Sequence, residues 1–219
     1  MGNVYADRPE IASASRAFRQ EQLEAWLGVE LPVCGVEVVA LTPRIAMELE
    51  LAGNGFVAPG EPEGWIEAIQ FIHRISKGYI AGPISYRKMW QLLRLRRHLF
   101  RQKADQVFSE IRAYLSRTHA ARPNFQRSAQ PDFVPSDSCW MSYVVDSLCG
   151  WYPHLTVQAA LDMPYRIMWQ LWNRQLEKAN PDYRQRAPAV MEARQKYLEE
   201  LDAKAKADFA AEKERKRHG

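Results

Sequence analysis

Tyr-Arg-x-Met-Trp-Gln-Leu is written twice in this chain, at 86–92 within SYRKMWQLLR and at 165–171 within PYRIMWQLWN. Trp and Met are rare residues, so a shared word built on them constrains the fold more than any other feature. On a helix, Tyr86, Met89, Trp90 and Leu93 share one face, as do Tyr165, Met168, Trp169 and Trp172. Each copy follows the same preamble: a helix led by Trp65 or Trp140, a break at Gly78 or Gly150, and a short spacer. Each is therefore expected to be a helical hairpin whose second helix turns aromatic and thioether bulk inward. Duplication of a helix-pair unit accounts for the matching Arg and Gln, which a core does not require. Convergence of amphipathic helices on the same bulky residues is the competing explanation.

Helix punctuation recurs along the chain. Thr42-Pro43 followed by RIAMELELAGNG reads as an N-cap, a proline in the first turn, an amphipathic run and a glycine stop at Gly53 or Gly55. EPEGWIEAIQFIHRIS (61–76) places Trp65, Ile69, Ile72 and His73 at helical spacing. From Ile84 to about Thr118, Tyr86, Trp90, Leu93, Phe100, Ala104, Val107, Ile111 and Tyr114 alternate by three and four, with Arg97 interrupting. That seam predicts one helix of up to about 50 Å or two helices with a bend, packed along its length on another helix. SRAFRQEQLEAWLG (15–28) is one more amphipathic helix, and VELPVCGVEVVAL is the one candidate for extended structure.

ARPNFQRSAQPDFVPSDS (121–138) has three prolines and no helical period, which marks a linker or an extended arm in which Phe125 and Phe133 are docking candidates. Beyond it come a helix with Asp137 or Ser138 as cap and Gly150 as stop, a short helix capped by Thr156, and a longer one capped by Asp162 with Pro164 in its first turn. A final helix begins at Pro188 and loses its apolar stripe after about Leu201. The expected fold is all-α: two small helical subdomains, 1–120 and 139–187, joined by the Pro-rich linker 121–138, with a charged C-terminal helix at 188–219.

The chain has 219 residues, 47% hydrophobic and 26% charged, as an ordinary globular protein does. Cys34, Cys139 and Cys149 show no metal spacing and are expected to be buried reduced thiols of a cytosolic protein. The opening MGNVYADRPEIASASRAF lacks a basic segment followed by an apolar run, so no secretory signal is expected there, and Ala6 stands where myristoylation wants Ser or Thr. No apolar run approaches the roughly 20 residues of a membrane helix. No phosphate loop, nucleophile elbow, zinc spacing or paired-carboxylate motif is present, so no catalytic residue, metal ligand or cofactor is expected. His73 reads as a core histidine.

One charge feature stands out. No acidic residue lies between Glu67 and Asp105, whereas Arg74, Lys77, Arg87, Lys88, Arg94, Arg96, Arg97, Arg101 and Lys103 are basic. Such a stripe suits phosphates, an acidic protein partner, or plain solvation.

LTPRIAMELELAGNGF followed by WIEAIQFIHRIS, and later HLTVQAALDMPYRIMWQL, resemble the small all-helical proteins coded beside tail genes in tailed bacteriophages and prophages, particularly tail assembly chaperones. In that group a helical body precedes a segment of the form hydrophobic-Thr-x-x-x-x-Leu-x-x-Pro, here Leu155 to Pro164, and then an aromatic-rich helix. The resemblance implies a non-enzymatic binding role in the host cytoplasm: covering the hydrophobic, helix-forming tape measure protein until tail tube subunits polymerise round it. Helix-in-groove recognition would use Met89, Trp90, Met168, Trp169 and Trp172, with Arg94, Arg96 and Arg97 of the basic stripe beside them. Packing in the core is the competing reading for these aromatic and Met side chains, and the favoured one. The helix from Pro188 would be a recruiting extension, and self-association stays open. Two alternatives remain: a permanent virion component, such as a connector or baseplate subunit, and a helical nucleic-acid-binding protein.

Overall fold

The computed structural model describes residues 9–58, 60–122, 140–180 and parts of 195–206, with side chains from residue 12 in the first helix and from 141 in the sixth. The chain is all-α: α1 (Pro9–Trp26), α2 (Pro43–Leu51), α3 (Trp65–Ile75), α4 (Tyr86–Leu99), α5 (Ala104–His119), α6 (Trp140–Trp151), α7 (Val157–Leu161) and α8 (Tyr165–Ala179). Two isolated bridges, Val33 with Val36 and Val38 with Ser76, fall in or beside the segment expected to be extended. The proposed arm beyond Arg122, Cys139 and the start of the last helix at Pro188 lie outside the described residues.

Two compact units divide the chain, Met1–Glu21 with Gln185–Gly219, and Gln22–Arg184. These are not the boundaries expected from the sequence. In the first unit, the described side chains of 195–206 are exposed, and Lys206 pairs with Asp202 one turn back. In the second unit, helices from both sides of the 121–138 segment share one core, from Val33 and Ile45 through Phe71, Leu99 and Ile111 to Leu148 and Trp169. The helix pairs expected as separate subdomains thus pack together, α5 on α8 and α2 on α7.

Local chemistry explains the helix starts. The Thr42 hydroxyl accepts from the Ile45 amide at 3.3 Å, and that of Thr156 from Ala159 at 3.1 Å. Asp162, expected to cap α8, instead follows the end of α7 and forms a two-toothed pair with Arg44 of α2 at 2.5 and 3.2 Å, while Pro164 occupies the N-cap of α8. Leu41, just before α2, is a backbone hub. Its amide donates to the Tyr114 hydroxyl at 2.9 Å and its carbonyl accepts from the Tyr165 amide at 3.0 Å, joining α5 to α8.

The 84–118 seam folds as two helices. The chain leaves α4 through short bonds from Arg101 to His98 and from Gln102 to Leu99, and becomes extended at Lys103 before α5 begins. A tight hairpin turn at 33–36 holds this corner. Cys34 (φ 50°) and Gly35 (φ 74°) both have positive φ, as two-residue hairpin turns require. The Cys34 carbonyl accepts from Gln102 at 3.2 Å and lies 2.7 Å from His98 Nε2, while its amide donates to Glu110 of α5 at 2.7 Å. Burial, aided by Glu110, pushes the Cys34 thiol up to about 12, so it stays protonated and unreactive.

The bend gives the two halves of the seam opposite fates. Val107, Ile111 and Tyr114 enter the core. Tyr86, Met89, Trp90 and Leu93 do not: they are 78%, 46%, 47% and 49% exposed, whereas their counterparts Tyr165, Met168, Trp169 and Trp172 are each at most 2% exposed. The expectation that both copies face inward is therefore corrected for the first. α4 carries a second apolar stripe, Leu92, Leu95 and Leu99, roughly half a turn away, of which Leu95 and Leu99 are buried in the core and Leu92 is half-buried. The deciding difference is Arg97. It interrupts the Tyr86–Phe100 seam near its C-terminal end, where α8 has Leu176, which packs on the core. Burying the first seam would bury a guanidinium at a cost of several kcal/mol, so the aliphatic stripe wins.

The shared Gln serves each copy as a polar hook. Gln91 meets the buried His73 at 3.2 Å and donates to the Gly78 carbonyl, fixing α4 to the end of α3. Gln170 accepts from the Trp26 indole at 2.7 Å and donates to the Gln22 carbonyl at 3.3 Å. The shared Arg diverges. Arg166 is buried 3.6 Å from Glu30, whose carboxyl burial raises despite the attraction of Arg166 and Arg117, whereas Arg87 is exposed.

The two identical tryptophans should therefore behave differently in urea unfolding. Trp169→Ala is expected to cost about 3–5 kcal/mol, and Trp90→Ala under about 1 kcal/mol.

Candidate partner-binding face

The outer side of α4 presents the longest apolar stripe that one described helix leaves in solvent. The Ser85 hydroxyl caps the helix, accepting from the Lys88 amide at 3.2 Å. The stripe then runs Tyr86, Met89, Trp90, Leu93 and, at the end of the helix, Phe100, which is 45% exposed. Tyr86 and Trp90 meet edge-on at 6.4 Å between ring centres, and Phe100 meets Trp65 at 4.7 Å. Rings held this way are rigid and lose little entropy when something packs on them.

Arginines flank the rings. Arg94 lies 5.8 Å from the Trp90 ring centre and Arg96 5.1 Å from that of Phe100, within cation–π range. Together with Leu93, Arg97 and Arg101 these residues line a shallow concavity of about 620 Å³. Among the described residues, no carboxylate pairs with Arg87, Arg94, Arg96, Arg97 or Arg101. The face is cationic and uncompensated.

Of the residues expected from the sequence to touch a partner, Met89, Trp90, Arg94, Arg96 and Arg97 come together here. Met168, Trp169 and Trp172 do not. They lie inside the core, where Trp169 stacks on Tyr165 at 5.9 Å and Trp172 meets Trp151 edge-on at 4.6 Å. Leu93, Phe100 and Arg101 were not singled out as contacts, although their spacing around Trp90 and Arg97 carried the signal.

A second concavity, of about 260 Å³, is lined by Leu41, Met47, Glu50, His119, Arg122 and Tyr165. His119 Nδ1 accepts from the Trp169 indole at 3.3 Å, which places the ring proton on Nε2 in the neutral form. Burial, and then Arg122, push its pKa down to about 4. Its polar atom is committed to holding α5 against α8, a structural role. Among the described residues, no group of three His, Cys, Asp or Glu could hold a metal ion, and no helix is long and apolar enough to cross a membrane.

Comparison of the chain with protein-family models, curated proteins and solved structures found no match.

His119 generates a pH prediction. Its folded-state pKa lies below the ordinary 6.5, so the unfolded chain binds the proton more readily. The stability from neutral His119 is complete above about 6.5 and is lost as pH falls towards about 4. In urea titrations across that window the natural protein should lose stability relative to His119→Gln, with the difference levelling off below it.

Proposed function

We propose that this chain is a non-enzymatic binding protein that covers an otherwise exposed helical segment of another protein, and that its setting is tail morphogenesis of a bacteriophage or prophage, with the tape measure protein as the covered partner in the host cytoplasm. The observation that carries the binding role is the outward turn of Tyr86, Met89, Trp90 and Leu93. A stripe of that size left in water is what a recognition surface looks like on an otherwise well-packed helical body. The tail setting rests on the resemblance of the 41–76 and 154–171 stretches to tail assembly chaperones.

Nucleic-acid binding is favoured by one specific observation, the five arginines without a carboxylate partner among the described residues, beside an exposed Trp. It leaves the aliphatic part of the stripe, Met89 and Leu93, without an explanation.

Co-expression of the tagged chain with the proteins coded next to it, followed by mass spectrometry of what copurifies at moderate salt, tests the reading. The expected result is a long helical partner, insoluble when expressed alone, that is retained by the natural chain and lost from a Trp90→Ala/Leu93→Ala variant. Recovery of nucleic acid alone, or discovery of the chain in fixed copy number in finished particles, would contradict it and support nucleic-acid binding or a virion component respectively.

A further inference from the structure

The outer face of α4 has a register as well as a composition. Tyr86, Trp90, Leu93, Arg97 and Phe100 alternate by four and three, which is the a/d spacing of a heptad repeat: Tyr86, Leu93 and Phe100 at d, Trp90 and Arg97 at a. Within α4 the flanking e positions are Arg87 and Arg94, and the g positions are Met89 and Arg96. The core residues Leu95 and Leu99 occupy f and c, the positions a coiled coil turns away from its partner. α4 thus packs on its own protein through its back and leaves a two-heptad coiled-coil seam in solvent.

Resting on the helix-binding reading above, we infer that the occupant of this seam is an amphipathic helix with apolar a and d positions, Glu or Asp along both flanks, and a carboxylate or polar side chain facing Arg97. Flanking charges choose partners in such seams, and here three of the four flanking positions on the helix, Arg87, Arg94 and Arg96, are basic with no carboxylate partner among the described residues. A second copy of α4 is excluded by the same charges. Antiparallel pairing sets Arg against Arg along the e flank, parallel pairing sets Arg94 against Met89 and supplies no carboxylate to it or to Arg96, and either arrangement confines two copies of Arg97 without a counter-charge. A basic or neutral helix leaves Arg97 desolvated and unpaired, at a cost an acidic partner removes. Phosphates would meet the arginines but leave Leu93 and Met89 in water, so an acidic helix satisfies more of the surface than a nucleic acid does.

Three labelled peptides test this, each of three heptads with the same Leu and Val seam and with Glu, Gln or Lys at every e and g position. Each is titrated against the full chain by fluorescence anisotropy at low and at high salt. The Glu peptide is expected to bind at least about tenfold tighter than the Gln peptide at low salt, with the gap narrowing at high salt and no binding by the Lys peptide. An Arg94→Glu/Arg96→Glu/Arg97→Glu chain should reverse the order, and Trp90→Ala/Leu93→Ala should weaken every peptide. Equal binding of the Glu and Gln peptides overturns the acidic-partner inference and leaves helix binding standing. Displacement of the Glu peptide by a mixed-sequence single-stranded oligonucleotide, or no binding by any peptide, overturns both the inference and the assignment of α4 as a helix-binding face.

Discussion

A guanidinium cannot be buried without a partner, and much of what is unusual in this structure follows from where Arg97 stands. It interrupts an otherwise apolar seam on α4, and no acidic residue lies between Glu67 and Asp105 to compensate it within the surrounding chain. The helix resolves the conflict by rotation. It buries Leu95 and Leu99, whose side chains carry no polar atoms, and turns Trp90, Leu93 and Arg97 to solvent. α8 spells the same word, has Leu176 where α4 has Arg97, and buries Tyr165, Met168, Trp169 and Trp172. One residue beyond the shared word decides which copy is core and which is surface.

The rotation is stable because α4 is fixed by polar contacts on its inner side. Gln91 joins it to His73 and Gly78, and at its other end His98 and Gln102 converge on the Cys34 carbonyl. The hairpin turn that presents that carbonyl holds Cys34 at a positive φ uncommon for a residue with a side chain, costing on the order of 1 kcal/mol. The same turn reaches α5 through Glu110, so the angle between α4 and α5, and with it the direction the outer seam faces, is set by the 33–36 segment. The orientation of the exposed stripe on one helix therefore depends on a turn about 50 residues earlier in the chain.

Much of the local structure was legible in the sequence. The Thr42 and Thr156 caps, the proline at the start of α2 and the Gly53 stop are short-range chemistry, and each forms as its neighbours imply. The bend between α4 and α5 carried no glycine or proline. It is made by side chains of the 98–102 region reaching a carbonyl far away in sequence, which no local pattern reveals. The sense of the first aromatic face was misread for a related reason. Periodicity shows that residues share a face, but not whether the face turns in or out, and Arg97 was the one clue to direction. Asp162 likewise has the composition of a cap and the role of a tether, because its partner Arg44 sits on another helix. For the candidate face, residue identities were visible, whereas the separation of Met89 and Trp90 from Met168 and Trp169 required the packing.

Hydroxyl-radical footprinting read by mass spectrometry tests the opposite fates of the two words most directly, because Met and Trp are among the most readily oxidised side chains and occur at matched positions in both. In the native protein, Met89 and Trp90 should be modified at rates close to those of the urea-unfolded chain, while Met168 and Trp169 should be protected at least about tenfold, as open and closed core positions differ. Equal protection of the two pairs would contradict the outward orientation of α4 and remove the basis for a partner-binding face there.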